Sequence, residues 1–229
     1  MKKLVIFDLD GTLLNTITDL GAACNNALMK NALPTHELSR YPFLVGNGIK
    51  KLIERAVPVD LQNETSVIEQ LLTDFREYYD EHNCDFTEPY DGIPQLLKSL
   101  TEKGIKVAVT SNKYDQATKV LVKHFFPEIK FSAVFGQREG VPTKPDPTII
   151  FDVIAKTEIA KQDILYVGDS GVDMETAYRA CVDSAGVTWG FRSEMELRSK
   201  QATYIVDDPS QILEIALSND RLLRFDSNL

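Results

Sequence analysis

The chain has 229 residues, 43% of them hydrophobic and 26% charged, enough for a sizeable buried core in one or two domains. A net charge of −9 and a pI near 4.9 argue against nonspecific nucleic-acid binding, which needs a basic face. No stretch reaches the length of a transmembrane helix, so no membrane partner is expected. Met1-Lys2-Lys3 imitates the start of a signal peptide, but Asp8 cuts the apolar run short, and a cytoplasmic location is expected. Cys24, Cys84 and Cys181 form no metal or redox motif and read as reduced, mostly buried thiols.

The first predicted element is a buried strand, Leu4-Val5-Ile6, running into Phe7-Asp8-Leu9-Asp10-Gly11-Thr12-Leu13-Leu14. Side chains alternate along a strand, so both carboxylates reach one site only if the strand ends between them. Gly11 permits the unusual backbone that this requires. Carboxyl ends of strands in open α/β sheets are where ligands bind. Two crowded carboxylates there call for compensation, most simply a divalent cation. Asp8 is then placed to attack and Asp10 to give and take protons; the competing reading is a turn with two solvated aspartates.

From Thr16 to about Phe86 the pattern is helical. Ile17, Leu20, Ala23, Cys24, Ala27 and Leu28 share one spacing, followed by Ile49, Leu52, Ile53 and Ala56, then Val67, Ile68, Leu71, Leu72 and Phe75. These helices read as a separate unit, bounded by turns at Leu14-Asn15-Thr16 and Pro89-Tyr90-Asp91-Gly92. The two connections leave the strand ends above the acidic pair, a geometry suited to hinges under a mobile lid.

Strands and helices alternate from Ile105 onward. The expected strands are 105–110, 133–135, 164–167, 184–188 and 204–206, with helices over 115–124, from Pro147 to about Lys156, and 173–180. Strand, crossover helix and strand is the pattern of a parallel sheet covered on both faces. The tail from Arg224 is polar and is expected to fray. Fold class is therefore α/β, a doubly wound, mainly parallel sheet with an inserted all-helical subdomain: residues 1–14 and 90–229 form the core and 15–89 the insert.

Three further strand ends carry polar groups. Thr110-Ser111-Asn112 offers a hydroxyl, an amide and backbone N–H groups, a cradle for phosphate oxygens or an ordinary turn. Lys144 stands before Pro145, which biases it toward an extended conformation. Gly168-Asp169-Ser170-Gly171-Val172-Asp173 adds two carboxylates, of which Asp173 alone would pass for a helix cap. Acidic pair, hydroxyl, lysine and second acidic pair thus follow four separate strands in a fixed order. Mg²⁺ prefers a few carboxylates with waters and substrate oxygens, and together with Lys144 it would offset a phosphoryl group held against Asp8.

These four segments resemble the motifs of the haloacid dehalogenase-like phosphohydrolases, and the resemblance spans essentially the whole chain. It implies that Asp8 is the nucleophile forming an aspartyl-phosphate and Asp10 the general acid and base, its main-chain carbonyl on Mg²⁺. It implies that Ser111 holds phosphate, followed by Asn112, and that Lys144 bridges nucleophile and phosphate. Asp169 matches the direct metal ligand, so the implied metal set is Asp8, Asp10 and Asp169, with Asp173 behind it. Gly11 and Thr12 fall in the loop that meets the phosphoryl group.

The insert resembles the small helical cap of the family's first subclass. Val45-Gly46-Asn47-Gly48, with Leu52 and Arg55-Ala56, is similar to a cap segment of phosphoglycolate phosphatases. Asn47, Gly48 and the helix start behind them would then meet a substrate carboxylate; the alternative is a glycine-rich turn before a helix. Asn15 stands where those phosphatases often carry Asp. Gly168 and Thr12 depart from the residues common in the family's sugar phosphomutases, which favours hydrolysis.

The reading is a Mg²⁺-dependent phosphatase of a small phosphate ester, 2-phosphoglycolate being favoured. A sugar phosphate or pyrophosphate, a β-phosphoglucomutase-like mutase and a silent binding protein are the alternatives. His36, His82 and His124 read as structural or solvated, and Trp189 as packing; Arg192 has no firm role and the oligomeric state is not legible.

Overall fold

All four residues of the first apolar run are fully buried. They form β1 (Leu4–Phe7) in the middle of the sheet of this computed structural model, which describes residues 1–218. The polar tail from Arg224 lies outside the described residues. In chain order there follow β2 (Leu14–Asn15), α1 (Ile17–Lys30), α2 (Tyr41–Leu44), α3 (Ile49–Ala56), α4 (Thr65–His82) and β3 (Glu88–Pro89). The remainder is α5 (Ile93–Glu102), β4 (Lys106–Tyr114), α6 (Asp115–Phe125), β5 (Ala133–Gln137), α7 (Thr148–Thr157), β6 (Ile164–Gly168), α8 (Gly171–Ala180), β7 (Asp183–Val187), α9 (Glu194–Ser199), β8 (Tyr204–Val206) and α10 (Pro209–Leu217).

Six strands make one sheet in the order β5-β4-β1-β6-β7-β8, each neighbouring pair parallel. Both faces are covered, which is why β1 is apolar without alternation. Val5 and Phe7 pack with Val107, Val109, Leu165 and Val167 against α5 and α10, through Leu96, Leu97, Leu100 and Ile212. Leu4 and Ile6 face the other way, onto Ile149, Ile150 and Val153 of α7 and Ala177 and Ala180 of α8. The chain leaves β1 for β4 on one side and later returns to β6 on the other. The order therefore reverses at β1, and the crevice at its carboxyl end is the place where such sheets bind ligands.

The helices α1 to α4 share a third apolar cluster, with Leu20, Cys24 and Leu28 of α1 against Leu52, Ile53, Leu71, Phe75 and Tyr79. Ala117 of α6 joins that cluster from the sheet side. The segment Leu14–Asn15 is not a turn, as its composition suggests, but pairs antiparallel with Glu88–Pro89. The two connections are thus zipped together. Asp19, buried on α1, fastens them: its carboxylate accepts from Phe86 N (3.1 Å), Thr87 N (2.8 Å) and Thr87 Oγ1 (2.7 Å).

Strand β4 is longer than expected, reaching Tyr114 rather than Thr110, with a register shift between those residues against β5. Ser111, Asn112 and Lys113 look like a turn by type, yet all three are buried: distant groups satisfy Asn112 and Lys113, while Ser111 Oγ accepts from Lys113 N at 3.1 Å. The cysteine expectation also needs correction. They are free, but Cys24 is buried, Cys84 half-buried and Cys181 exposed. Cys181 caps α8 in the left-handed region, at φ 58°, where the chain must turn out of the helix. His36 approaches Ala56 O at 2.7 Å and His82 approaches Asp85 at 2.8 Å, both local structural contacts.

Replacing Asp19 by Ala leaves buried backbone donors unpaired. Asp19→Ala is expected to lower unfolding stability by roughly 2–3 kcal/mol, read from the urea midpoint. A change under about 0.5 kcal/mol would mean that water takes over those donors.

Candidate active site

Four strand ends converge at the switch point. The end of β1 supplies Asp8 and Asp10, β4 supplies Ser111, the loop after β5 supplies Lys144, and the end of β6 supplies Asp169. Gly11 turns the chain at φ 84°, and a Cβ there would stand 2.3 Å from Asp169 Oδ2. Only glycine lets the loop after β1 approach β6 this closely.

Lys144 is the hub. Its ammonium lies 2.8 Å from Asp8 Oδ1 and 2.7 Å from Asp173 Oδ1, and donates also to Tyr166 Oη (3.2 Å) and Thr110 O (3.3 Å). Ser170 caps α8 and donates to Asp173 Oδ2 at 2.5 Å. Asp169 Oδ2 accepts from Phe191 N at 2.7 Å. The three carboxylates Asp8, Asp169 and Asp173 are 7%, 3% and 2% exposed, with ligand atoms within 4.8 Å of one another.

Three such groups close together, with Lys144 paired to only two of them, are a poor charge balance in a dry site. Burial, then the Asp173 charge, pushes the Asp8 carboxyl up to about 7. Burial, followed by the charges of Asp173 and Asp8, raises Asp169 well above the carboxylate range. For Lys144 burial works downward, but Asp173 and Asp8 outweigh it and hold the ammonium well above its ordinary value. A hard divalent cation with oxygen ligands fits this donor set.

Asp10 stands slightly apart. Its Oδ1 accepts from Thr16 Oγ1 at 2.6 Å and pairs with Lys113 Nζ at 3.1 Å. Lys113 is buried and donates to Tyr79 Oη on α4 at 2.8 Å, so Asp10 is tied to the helical insert. Composition gave no hint of Lys113, Tyr79, Thr16 or Tyr166. Lys113 adjoins Ser111-Asn112 in sequence, the single signal available, whereas its partners lie 34 and more residues away.

Asp8, Asp10, Ser111, Asn112, Lys144, Asp169, Asp173, Gly46 and Gly48 all line one cavity of about 60 Å³. Three residues read as substrate-binding have other partners or positions. Thr12 is fully buried off the cavity, its hydroxyl without a hydrogen-bond partner among the described residues, while its carbonyl accepts from Trp189 Nε1 at 3.1 Å. Asn112 spends its amide on Lys144, accepting from Lys144 N at 2.9 Å and donating to Lys144 O at 3.1 Å. Asn47 Oδ1 accepts from Arg55 Nη2 at 2.6 Å, and its side chain is not part of the cavity wall. The local carbonyl and guanidinium partners win because they are fixed by the fold, which spacing alone does not reveal.

The chain is similar to known proteins along nearly its whole length. Residues 5–187 match the family described as haloacid dehalogenase-like hydrolase. A phosphoglycolate phosphatase of Haemophilus influenzae is 30% identical over 218 residues, covering 93% of this chain and 97% of that protein. A crystal structure from Lactobacillus delbrueckii subsp. bulgaricus, provisionally described as a phosphoglycolate phosphatase, is 32% identical. It superposes with a TM-score of 0.88 over 95% of this chain and 100% of that one. A haloacid dehalogenase-like hydrolase of Streptococcus pneumoniae shares the fold at 20% identity, with a TM-score of 0.83 over 93% and 98% of the two chains.

The raised carboxyls set a pH dependence. In the unfolded chain each aspartate titrates near 4. Between about pH 4 and 7 the metal-free folded state therefore holds more protons, and these groups cost it stability as pH rises through that window. A metal competes with those protons. Mg²⁺ is expected to raise the melting temperature more at pH 8 than at pH 5, and Asp8→Asn to flatten the difference. Equal shifts at both pH values would remove these carboxylates as ligands.

Proposed function

Because the chain belongs to the haloacid dehalogenase-like hydrolases and is a phosphatase of that family, we propose that it hydrolyses 2-phosphoglycolate to glycolate and phosphate, with Mg²⁺ and a phosphoenzyme on Asp8. The observation that carries this reading is the Asp8 carboxylate, buried at the sheet's switch point with Lys144 at 2.8 Å, on a cavity also lined by Asp10 and Ser111.

In this mechanism Asp8 attacks phosphorus as the glycolate oxygen leaves, and Asp10 gives that oxygen its proton. Asp10 then takes a proton from the water that attacks the acyl phosphate, and free phosphate and the Asp8 carboxylate are regenerated. Thr16 and Lys113 hold one oxygen of Asp10 and leave the other for this exchange. Lys144 keeps Asp8 oriented and offsets charge on the phosphoryl oxygens, and the Ser111 hydroxyl holds one of them. Asp8, Asp169 and the Asp10 carbonyl would hold Mg²⁺, with Asp173 supporting them. The ion would supply the positive charge that lets a carboxylate approach a phosphate dianion.

Residues 15–89 act in this reading as a cap over a core of 1–14 and 90–229, with the β2–β3 ribbon as the hinge. The shared apolar cluster of α1 to α4 and the paired connections support it. Closing the cap excludes water from the reacting phosphoryl group.

A panel of phosphate esters assayed for phosphate release with and without Mg²⁺ tests the assignment. The highest kcat/KM is expected for 2-phosphoglycolate, with activity abolished by chelator. Asp8→Asn is expected to lower kcat by about 10³-fold or more while the protein still melts cooperatively. Turnover within tenfold of the unaltered enzyme would exclude Asp8 as nucleophile.

A further inference from the structure

We propose that Arg192 is the specificity-determining cation of the site, receiving a second anionic group of the substrate, a carboxylate, at the part of the cavity wall beside Gly46. The inference rests on the phosphatase reading of the site and adds the residue that selects among esters.

Arg192 lies in the loop between β7 and α9, next to Phe191, whose N–H binds Asp169. Its guanidinium crosses to the insert, donating from Nη2 to Val45 O at 2.7 Å and from Nη1 to Pro42 O. Gly46, at φ 115°, allows this contact, since a Cβ there would stand 3.1 Å from Nη2. Two of five guanidinium donors are thereby used on neutral carbonyls, which hold the group in place without neutralising it; its ion-pair partner is Glu196, 3.7 Å from Nε.

The charges on the cavity wall single it out. Lys144 is matched by Asp8 and Asp173, and Lys113 by Asp10. Arg192, also on the wall, makes no ion pair with any of these carboxylates. Glu196 approaches its Nε only to 3.7 Å and is not part of the wall. A second cation stands behind the same loop. Arg55 donates to Leu44 O and to Asn47 Oδ1, and burial together with the Arg192 charge holds it below its ordinary value. Pro42 to Gly48 is therefore a stretch where two guanidiniums meet mainly carbonyl oxygens. An anion entering beside Gly46 and Gly48 would find a positive field and a planar fork suited to a carboxylate. Asn47, turned to Arg55, is not the group that would meet it.

Arg192→Gln and Arg192→Lys can be compared on matched esters with and without the acid: 2-phosphoglycolate against 2-hydroxyethyl phosphate, and 3-phosphoglycerate against glycerol 3-phosphate. The quantity read is the ratio of kcat/KM for acid over neutral ester. In Arg192→Gln the ratio is expected to fall at least tenfold in both pairs, chiefly through KM of the acid. In Arg192→Lys, which keeps the charge and loses the fork, an intermediate fall is expected. If both members of each pair lose activity together and the ratio stays within twofold, Arg192 only straps the insert and the proposal is overturned. Should Arg192→Gln not fold, judged by its melting transition, the ratio in Arg192→Lys decides on the same criterion. Failure of the substrate assignment looks different: the unaltered enzyme would then not prefer 2-phosphoglycolate over 3-phosphoglycerate, while the ratio still falls in Arg192→Gln.

Discussion

Three buried carboxylates, Asp8, Asp169 and Asp173, crowd one strand-end site where Lys144 pairs with two of them, Asp8 and Asp173, and much of the surrounding structure exists to make this tolerable. A buried charge without a partner costs several kcal/mol, so each oxygen and each proton of the cluster must be accounted for. Tyr166, although on a core strand, turns its hydroxyl to Lys144 and Asp173. Asn112 pins the backbone of Lys144 from both sides, and Ser170 and Phe191 hold Asp173 and Asp169 through local hydrogen bonds. What these partners leave unbalanced is net negative charge, concentrated where the sheet order reverses. Such a cluster of oxygen donors fits a divalent cation.

The helical insert is joined to this cluster through polar contacts as well as packing. Asp10 meets Lys113, and Lys113 meets Tyr79 of α4, so the carboxylate assigned to proton transfer is linked by two contacts to the insert. Tyr114 reaches Asp80 on the same helix, and Arg192 grips the loop at Pro42 and Val45. Such contacts are polar, directional and limited in number, which suits an interface that opens and closes better than a continuous apolar seam would. Apolar contact across it comes from Ala117, with Tyr114 and Phe191 packed against the same cluster.

In the proposed reading, substrate choice and chemistry would be spatially divided. The phosphoryl end would face groups fixed on strand ends, which the sheet holds rigidly. The far end would face the loop before α3, a glycine-rich segment held by a residue of the core. Binding energy at that far end would then be available to hold a cap closed over the reacting bond.

The sequence by itself determined the parallel α/β core, the helical insert after the first strand, and the four strand-end segments bearing Asp8, Ser111, Lys144 and Asp169. These were legible because apolar periodicity and short-range motif spacing encode them directly. The tertiary structure alone decided how the polar groups are spent. Ser111 to Lys113 read as a turn because buried polar residues look the same in sequence as solvated ones until their partners are known. Asn47 was drawn to Arg55, Thr12 into the interior, and Lys113 to a tyrosine 34 residues away. Arg192 was featureless in a strand-following loop, and became a cavity wall only when folding brought the insert against it. Hydrogen bonds and ion pairs of long sequence separation leave no period in the chain, so only the folded geometry discloses them.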